Sequence, residues 1–345
     1  MYKRKIFVLT LGLAIFILYL SLSNPFKGIS EAGRFNPFLF FLAFTVDFIG
    51  IILFAISWHI LVIGAGMRVR VVESLRATLI SFFIIWLIPI PIGLEIIRAY
   101  LIKGDGKSNA GKAVSSVLVH KSLYNLSFGI IIAIASGVIM FSPGRVFPLE
   151  PAFIWFMILF GVASSTFFLF LLDKRRLLWV QRRFSKFKMF NRISKNGFTS
   201  LQEFSESIED AFHVLKSRRA LLLTSFIMIS VHWSTGSITT YLVALSLGFE
   251  LNIWHIVLVY AIVEFIQQLN IIIPGGIGVI DAGLTGALTL IGVSLTSASA
   301  ISLLTRLDTY WFEIIISAFV TFHSGYKHVL KGLLESRGDG LTGNS

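Results

Sequence analysis

Glu95, Arg98, Lys121, Glu264, Asp281 and Arg306 are ionisable residues set in long apolar stretches. An ionised side chain at the centre of a bilayer costs about 2.5–3.5 kcal/mol or more, so each needs a partner or a task. Glu95 and Arg98 are three apart, which puts them on one helical face where they can pair with each other. The other chemistry open to them is anion recognition. A guanidinium can grip a phosphate with two parallel hydrogen bonds, and Glu95 beside it would position the group or take a proton. Lys121 and Arg306 either add cations to that site or snorkel to the two membrane faces. Asp281 follows a glycine-rich stretch, as a residue that caps a helix start does, and a ligand role is equally open. Glu264, near Gln267 and Gln268, would line the same cavity. Asp308 is two residues from Arg306 and on another face; Glu313, seven away, shares its face. Asp47 stands alone in its apolar stretch. His59, His120 and His232 show no paired metal spacing and read as helix-packing or interfacial residues, so no metal and no cofactor are expected. The chain has no G-x-S-x-G, H-E-x-x-H or Walker loop, so nothing in it points to an enzyme.

The elements that position these residues are membrane helices. The chain of 345 residues is 55% hydrophobic and 14% charged, where a soluble domain carries about 25% charged residues. There is no cysteine, which excludes disulfides and thiolate chemistry. The formal charge of +12 could suggest nucleic acid. The basic residues sit mostly in loops beside apolar runs, however, where they set orientation and meet anionic lipid; no nucleic-acid partner is expected.

Two apolar stretches break in a similar way. One runs from Ile84 through Pro89, Pro91, Gly93 and Glu95 to Arg98; the other from Asn270 through Pro274, Gly275, Gly276 and Gly278 to Asp281. Pro89 and Pro274, Gly93 and Gly278, and Lys121 and Arg306 are each 185 positions apart. Proline removes a donor and glycine permits turns that other residues resist. In hydrocarbon such breaks survive only where buried in protein or lining a wet cavity. Helices starting near Gly93 and Gly278 would point free N–H groups at that cavity, a setting that attracts anions. Paired broken segments, one per half, are the sequence pointer to a site between inverted repeats.

Segments 6–22, 37–63, 113–141, 151–172, 220–247 and 298–322 each approach the roughly 20 apolar residues needed to cross a bilayer. Segments 77–101 and 254–292 contain the breaks. Lysine and arginine flank 77–101 on both sides, whereas the loops 248–253 and 292–297 have neither. With the N-terminal Lys3, Arg4 and Lys5 inside, every loop is satisfied if both broken segments are re-entrant hairpins entering from opposite faces. The expected fold is an all-α polytopic membrane protein with an inverted-topology repeat: about six full spans plus two opposed hairpins. Within the single domain 1–345, 6–22 is an N-terminal span, 37–141 the first repeat, 151–172 a connecting span and 220–322 the second repeat. Residues 173–219, with twelve Lys/Arg against five Asp/Glu, form a cytoplasmic basic amphipathic segment, and 323–345 a cytoplasmic tail. In that segment Lys174–Lys195 suits an interfacial helix, and 201–215 carries apolar residues on one helical face that would dock on the membrane or on the bundle.

The stretch Pro274 to Asp281, followed by Ala300 to Trp311 with Arg306 and Tyr310, resembles the transmembrane domain of lysylphosphatidylglycerol synthases, a domain that also occurs alone as a flippase-like membrane protein. Pro91-Ile-Gly93-Leu-Glu95-Ile-Ile-Arg98 resembles the family's Pro-x-Gly-Gly-Glu-x-x-Arg motif, with Leu94 in place of the second glycine. Where the family shows Glu-Arg and a nearby Asp, this chain has His120, Lys121 and Asn125. The resemblance covers about residues 6–330. It implies a flippase in the cell membrane, termini cytoplasmic, that moves an anionic or polar-headgroup lipid, a polyprenyl-phosphate-linked one among the candidates. Few residues follow the last span, so an appended aminoacyl-transferase domain is not expected. The alternatives are an intramembrane lipid-modifying transferase with Glu95 as base, and a non-transporting partner of a lipid or glycan enzyme. Anionic membrane lipids are the expected partners, with a second copy or a separate lipid-modifying enzyme left open.

Overall fold

The computed structural model describes residues 2–32, 35–87, 93–102, 107–142, 150–176, 179, 201–269 and 273–324. Pro89, Pro91, Asn270 to Ile272, most of the basic stretch 177–200 and the tail 325–345 lie outside them, so the expected interfacial helix and the first Pro/Gly break do too. Among the described residues there are helices and no strand.

The helices are α1 (Tyr2–Ser23), α2 (Pro25–Glu31), α3 (Pro37–Gly64), α4 (Val71–Leu87), α5 (Gly93–Ile102), α6 (Lys107–Met140), α7 (Pro151–Phe170), α8 (Leu201–Ser217), α9 (Arg219–Ser246), α10 (Ile253–Leu269), α11 (Val279–Leu290), α12 (Leu295–Arg306) and α13 (Glu313–His323). A 3₁₀ turn, Pro274–Gly276, precedes α11, and a π-helical turn, Leu307–Phe312, joins α12 to α13. Local chemistry sets several starts. Pro25, Pro37 and Pro151 open their helices, where proline's missing N–H costs nothing. Asn36 also caps α3, its side-chain oxygen accepting from Phe38 and Leu39 N–H.

Four described helices are long and apolar enough to cross a membrane: α3, α6 (from Asn109), α7 and α9. The bent pair α1–α2, with its 40° bend, makes up to five. The expected sixth span, 298–322, is present as the helical run from Leu295 to His323, but the π turn divides it into two short helices.

The pair α3 and α9 forms the centre. Asn36 N–H donates to Ser246 O at 2.8 Å, Thr239 Oγ1 to Ala43 O at 3.5 Å, His232 Nδ1 to Gly50 O at 2.8 Å and Ser225 Oγ to Ser57 O at 2.9 Å. Each step of seven up α3 is a step of seven down α9, so the helices are antiparallel and meet along one stripe, two turns at a time. Small and hydroxylated residues let them approach: a Cβ on Gly50 would lie 2.2 Å from Thr235 Oγ1. In lipid such packing and hydrogen bonding, rather than hydrophobic exclusion, hold helices together.

Around this pair helix lengths and spacings match. Helices α3 and α9 both have 28 residues, α4 and α10 both 17, and each pair starts 182 positions apart. α4 packs on α13 and α10 on α6; α5 packs on α6 and α11 on α12; α7 covers α6 and α2 covers α12. The amphipathic helix α8 docks on the bundle. Its Ile208, Ala211 and Leu215 are buried, with Ile208 and Leu215 packed among Leu61, Ala110, Leu118 and Leu172.

Candidate functional site

A cavity of about 520 Å³ is lined from α3, α4, α5, α6, α7, α9, α10, the 3₁₀ turn, α11 and the run α12–α13. Arg98, Lys121, Arg306, Glu95 and Glu264 all line it, so helices far apart in sequence bring five of the expected residues together. Asp281 stands behind the wall against Arg306. Lys121 and Arg306 therefore do not snorkel to opposite faces.

Each of these two cations has one carboxylate partner, and the partner sits just past a break. Lys121 Nζ is 3.6 Å from Glu95 Oε1, and Arg306 Nε is 3.5 Å from Asp281 Oδ1. Each also lies over a tyrosine of its own helical run: Lys121 Nζ is 5.1 Å from the Tyr124 ring centre, and Arg306 Cζ 4.5 Å from that of Tyr310. Such contacts add about 0.5–2 kcal/mol apiece. The Tyr124 hydroxyl donates to Glu264 Oε2 at 2.7 Å. On the other side Trp86 Nε1 donates to Glu313 Oε2 at 3.2 Å, and its ring meets Tyr310 edge-on at 5.1 Å.

Glu95 pairs with Lys121, so the expected Glu95–Arg98 pair is absent. Arg98 is fully buried between the Phe54 and Trp58 rings, 4.9 and 4.8 Å from their centres. Its two terminal nitrogens lie 3.4 Å from His120 Nδ1. A guanidinium can only donate, so His120 Nδ1 accepts. Nε2 then carries the hydrogen and donates to Ser57 Oγ at 2.8 Å, because that hydroxyl donates onward to Phe54 O. Arg98 has no carboxylate within ion-pair distance among the described residues, and its Nε has no partner.

The second break is described closely enough to explain its glycines. Gly275, Gly276 and Gly278 have φ of +60°, +62° and +82°, in the left-handed region that costs other residues about 1–2 kcal/mol. A Cβ on Gly275 would meet the Tyr310 ring at 2.4 Å, and one on Gly278 the α1 backbone at Phe16 N, 2.8 Å away. Three N–H groups of the turn are held locally. Gly278 N–H donates to Asp281 Oδ2 at 2.8 Å, Gly276 N–H to Ile273 O and Ile277 N–H to Pro274 O. The turn also offers a carbonyl: Gly275 O accepts from Arg306 Nη2 at 2.7 Å. Asp281 thus caps α11 and anchors Arg306, which in turn holds the break. At the first break, Gly93 starts α5.

Several lining residues were not among the site residues expected from the sequence, although Asp47 was a weaker candidate. His120 and His232 are cavity residues, and so are Trp86, Asp47 and Asn125. Asn125 is 1% exposed, and neither its Oδ1 nor its Nδ2 has a partner; with Arg98 Nε it forms unspent hydrogen-bonding capacity on the α5–α6 side. Its only signal in sequence was an amide in an apolar span. Among the described residues no three acidic, histidine or cysteine side chains could hold a metal ion.

The family model described as the lysylphosphatidylglycerol synthase transmembrane region matches residues 7–317. A UPF0104 membrane protein of Pyrococcus horikoshii is 22% identical over an alignment of 344 residues that covers 92% of this chain and 96% of that protein. No solved structure matches the chain.

Proposed function

The chain belongs to the lysylphosphatidylglycerol synthase transmembrane-region family, and from that premise we propose that it carries a lipid with an anionic or polar headgroup between leaflets through the cavity. One observation carries the reading: two cation–carboxylate pairs, Lys121–Glu95 and Arg306–Asp281, at corresponding places in the two halves, with both cations lining one cavity. The headgroup would exchange hydrogen bonds with Arg98, Lys121 and Arg306. Glu95 and Glu264 tune the two ends, and Asn125 supplies a donor and an acceptor. The apolar part of the lining, with Phe160, Phe167 and Leu284, accommodates the start of the lipid chains.

The inverted repeat belongs to the same proposal. Its support is the antiparallel register of α3 and α9. The offset of 182 maps the 43/239 contact onto 57/225, and the 50/232 contact onto itself. A two-fold axis in the membrane plane, passing beside Gly50 and His232, has this property, and alternating access about a site on such an axis is the transport mode of inverted repeats. On this reading α4–α5 and α10–α11 are opposed re-entrant hairpins, and the protein lies in the cell membrane with both termini in the cytoplasm.

Purified protein in liposomes with a fluorescently labelled phosphatidylglycerol tests the proposal. Protein-dependent movement of the label to the opposite leaflet, with the lipid's mass unchanged, is the expected result. A changed lipid mass would instead assign a transferase, and no movement with any anionic lipid would remove transport.

A further inference from the structure

On the α3 side of the cavity stand carboxyl groups that the headgroup site does not use. Asp47 on α3 and Glu313 at the start of α13 line the cavity. Asp308, inside the π turn, is fully buried, and Asp47 is 6% exposed. α3 packs against the π turn, Phe44 and Phe48 meeting the Phe312 ring at 5.2 and 6.3 Å, which brings Asp47 and the turn's Asp308 to one helix contact, with Glu313 directly after the turn. Their oxygens are short of partners. Neither Asp308 oxygen has one, nor has Asp47 Oδ2, and Thr305 Oγ1, one turn before Asp308 and 1% exposed, also has none. Glu313 alone receives a donor, from Trp86.

The other groups facing this cluster do not neutralise it. From α12 the nearby cation is Arg306, already held by Asp281 and Gly275 O. From α10 come Tyr260 and Glu264, which line the same cavity, Glu264 accepting from the Tyr124 hydroxyl. From α9, His232 is occupied by Gly50 O, and α4 contributes the neutral Trp86. A buried acceptor left unpaired costs about 1–3 kcal/mol, and more when charged. Asp308 lies in a π turn, an irregularity that recurs at functional sites because it costs backbone hydrogen bonding.

We propose that Asp47, Asp308 and Glu313 form a proton-binding site beside the headgroup cavity, through which transport is coupled to a proton. A proton adds one O–H bond to a carboxylate oxygen and needs no wider coordination shell. The bound proton gives one carboxyl a donor for a neighbouring oxygen, and its release restores a negative charge on the helical run that carries Arg306. The coupling, though not the proton site itself, rests on the transport reading.

Two measurements keep the two separable. Infrared difference spectra of the protein in lipid nanodiscs, recorded between about pH 5 and pH 9, should show a protonated-carboxyl band in the wild type that loses intensity in Asp308→Asn and in Asp47→Asn but not in a surface control, Glu31→Gln. Absence of that band, or a band unchanged in both variants, overturns the proposal whether or not lipid moves. In liposomes with labelled phosphatidylglycerol, the ratio of translocation rates with and without an imposed pH gradient should depart from one for the wild type and return to one for Asp308→Asn. A wild-type ratio of one overturns the coupling; a wild type that moves no lipid while showing the band overturns the transport reading and leaves the proton site standing. Size-exclusion elution at the wild-type volume verifies that each variant is folded.

Discussion

Replacing Asp281 by asparagine should cost far more than the change of one atom suggests. The Arg306 and Asp281 side chains are 5% and 4% exposed, so the substitution leaves a guanidinium in a dry place without its counter-ion. Removing one partner of a buried pair costs about 3–5 kcal/mol. Asparagine keeps an oxygen for Gly278 N–H, so the cap on α11 survives; Asp281→Ala removes that too and should lose about 1 kcal/mol more. The other pair supplies an internal control. The Lys121 side chain is 24% exposed on the cavity wall and reaches water once Glu95 is neutral, so Glu95→Gln should cost only about 1–3 kcal/mol. Arg306→Met combined with Asp281→Asn should cost less than the sum of the single changes, because no charge is stranded. Unfolding in mixed micelles, followed by tryptophan fluorescence, measures all five variants. If Asp281→Asn lies within about 0.5 kcal/mol of the wild type, or if Glu95→Gln is the more damaging, the reasoning about burial is wrong.

Gly275→Ala should lose about 1–2 kcal/mol for its positive φ and about 1–3 kcal/mol for the Tyr310 clash; Tyr310→Leu in the same chain should recover only the second part, as read by thermal unfolding. Trp58→Ala, which removes a fully buried ring that stacks on Arg98 and donates to Ser116, should cost about 3–5 kcal/mol in mixed-micelle unfolding. The chain has no cysteine, so paired cysteines report geometry cleanly. Positions 43 and 239 should form a disulfide under mild oxidant, whereas 43 and 225, separated by four helical turns, should not. Leu215→Asp should release α8 from the bundle and make residues 201–217 sensitive to limited proteolysis.

Much of this arrangement was legible in the sequence because hydrocarbon punishes irregularity. Charges and glycines in apolar stretches must have a reason, and that logic picked out Glu95, Lys121, Glu264, Asp281 and Arg306, all of which reach the cavity or its wall. It also located the second break, whose glycines adopt positive φ. The pairings were less legible. Arg98 looked like the mate of Glu95 because they are three apart, yet α6 runs alongside α5 and presents Lys121 to one and His120 to the other. The offset of 185 holds from Lys121 to Arg306, but the helices before the breaks start 182 positions apart; on the proposed inverted repeat the sequence of the second half is longer at its break, and no helical periodicity reveals an insertion inside a turn. The π turn that carries Asp308 was equally hidden, since it differs from α winding only in closing its hydrogen bonds one residue later and leaves no compositional mark. His120 and His232 read as packing residues because their type occurs at helix contacts everywhere, Asn125 stood out only as a departure from the family's pattern, and only the tertiary arrangement turns the three toward one space.

The central claim, that the cations on the two sides of the cavity handle one headgroup, is tested most directly by labelled phosphatidylglycerol translocation in liposomes carrying Arg98→Ala and Arg306→Ala together. The account predicts that a double variant eluting as folded protein loses translocation. Translocation at the wild-type rate would contradict it.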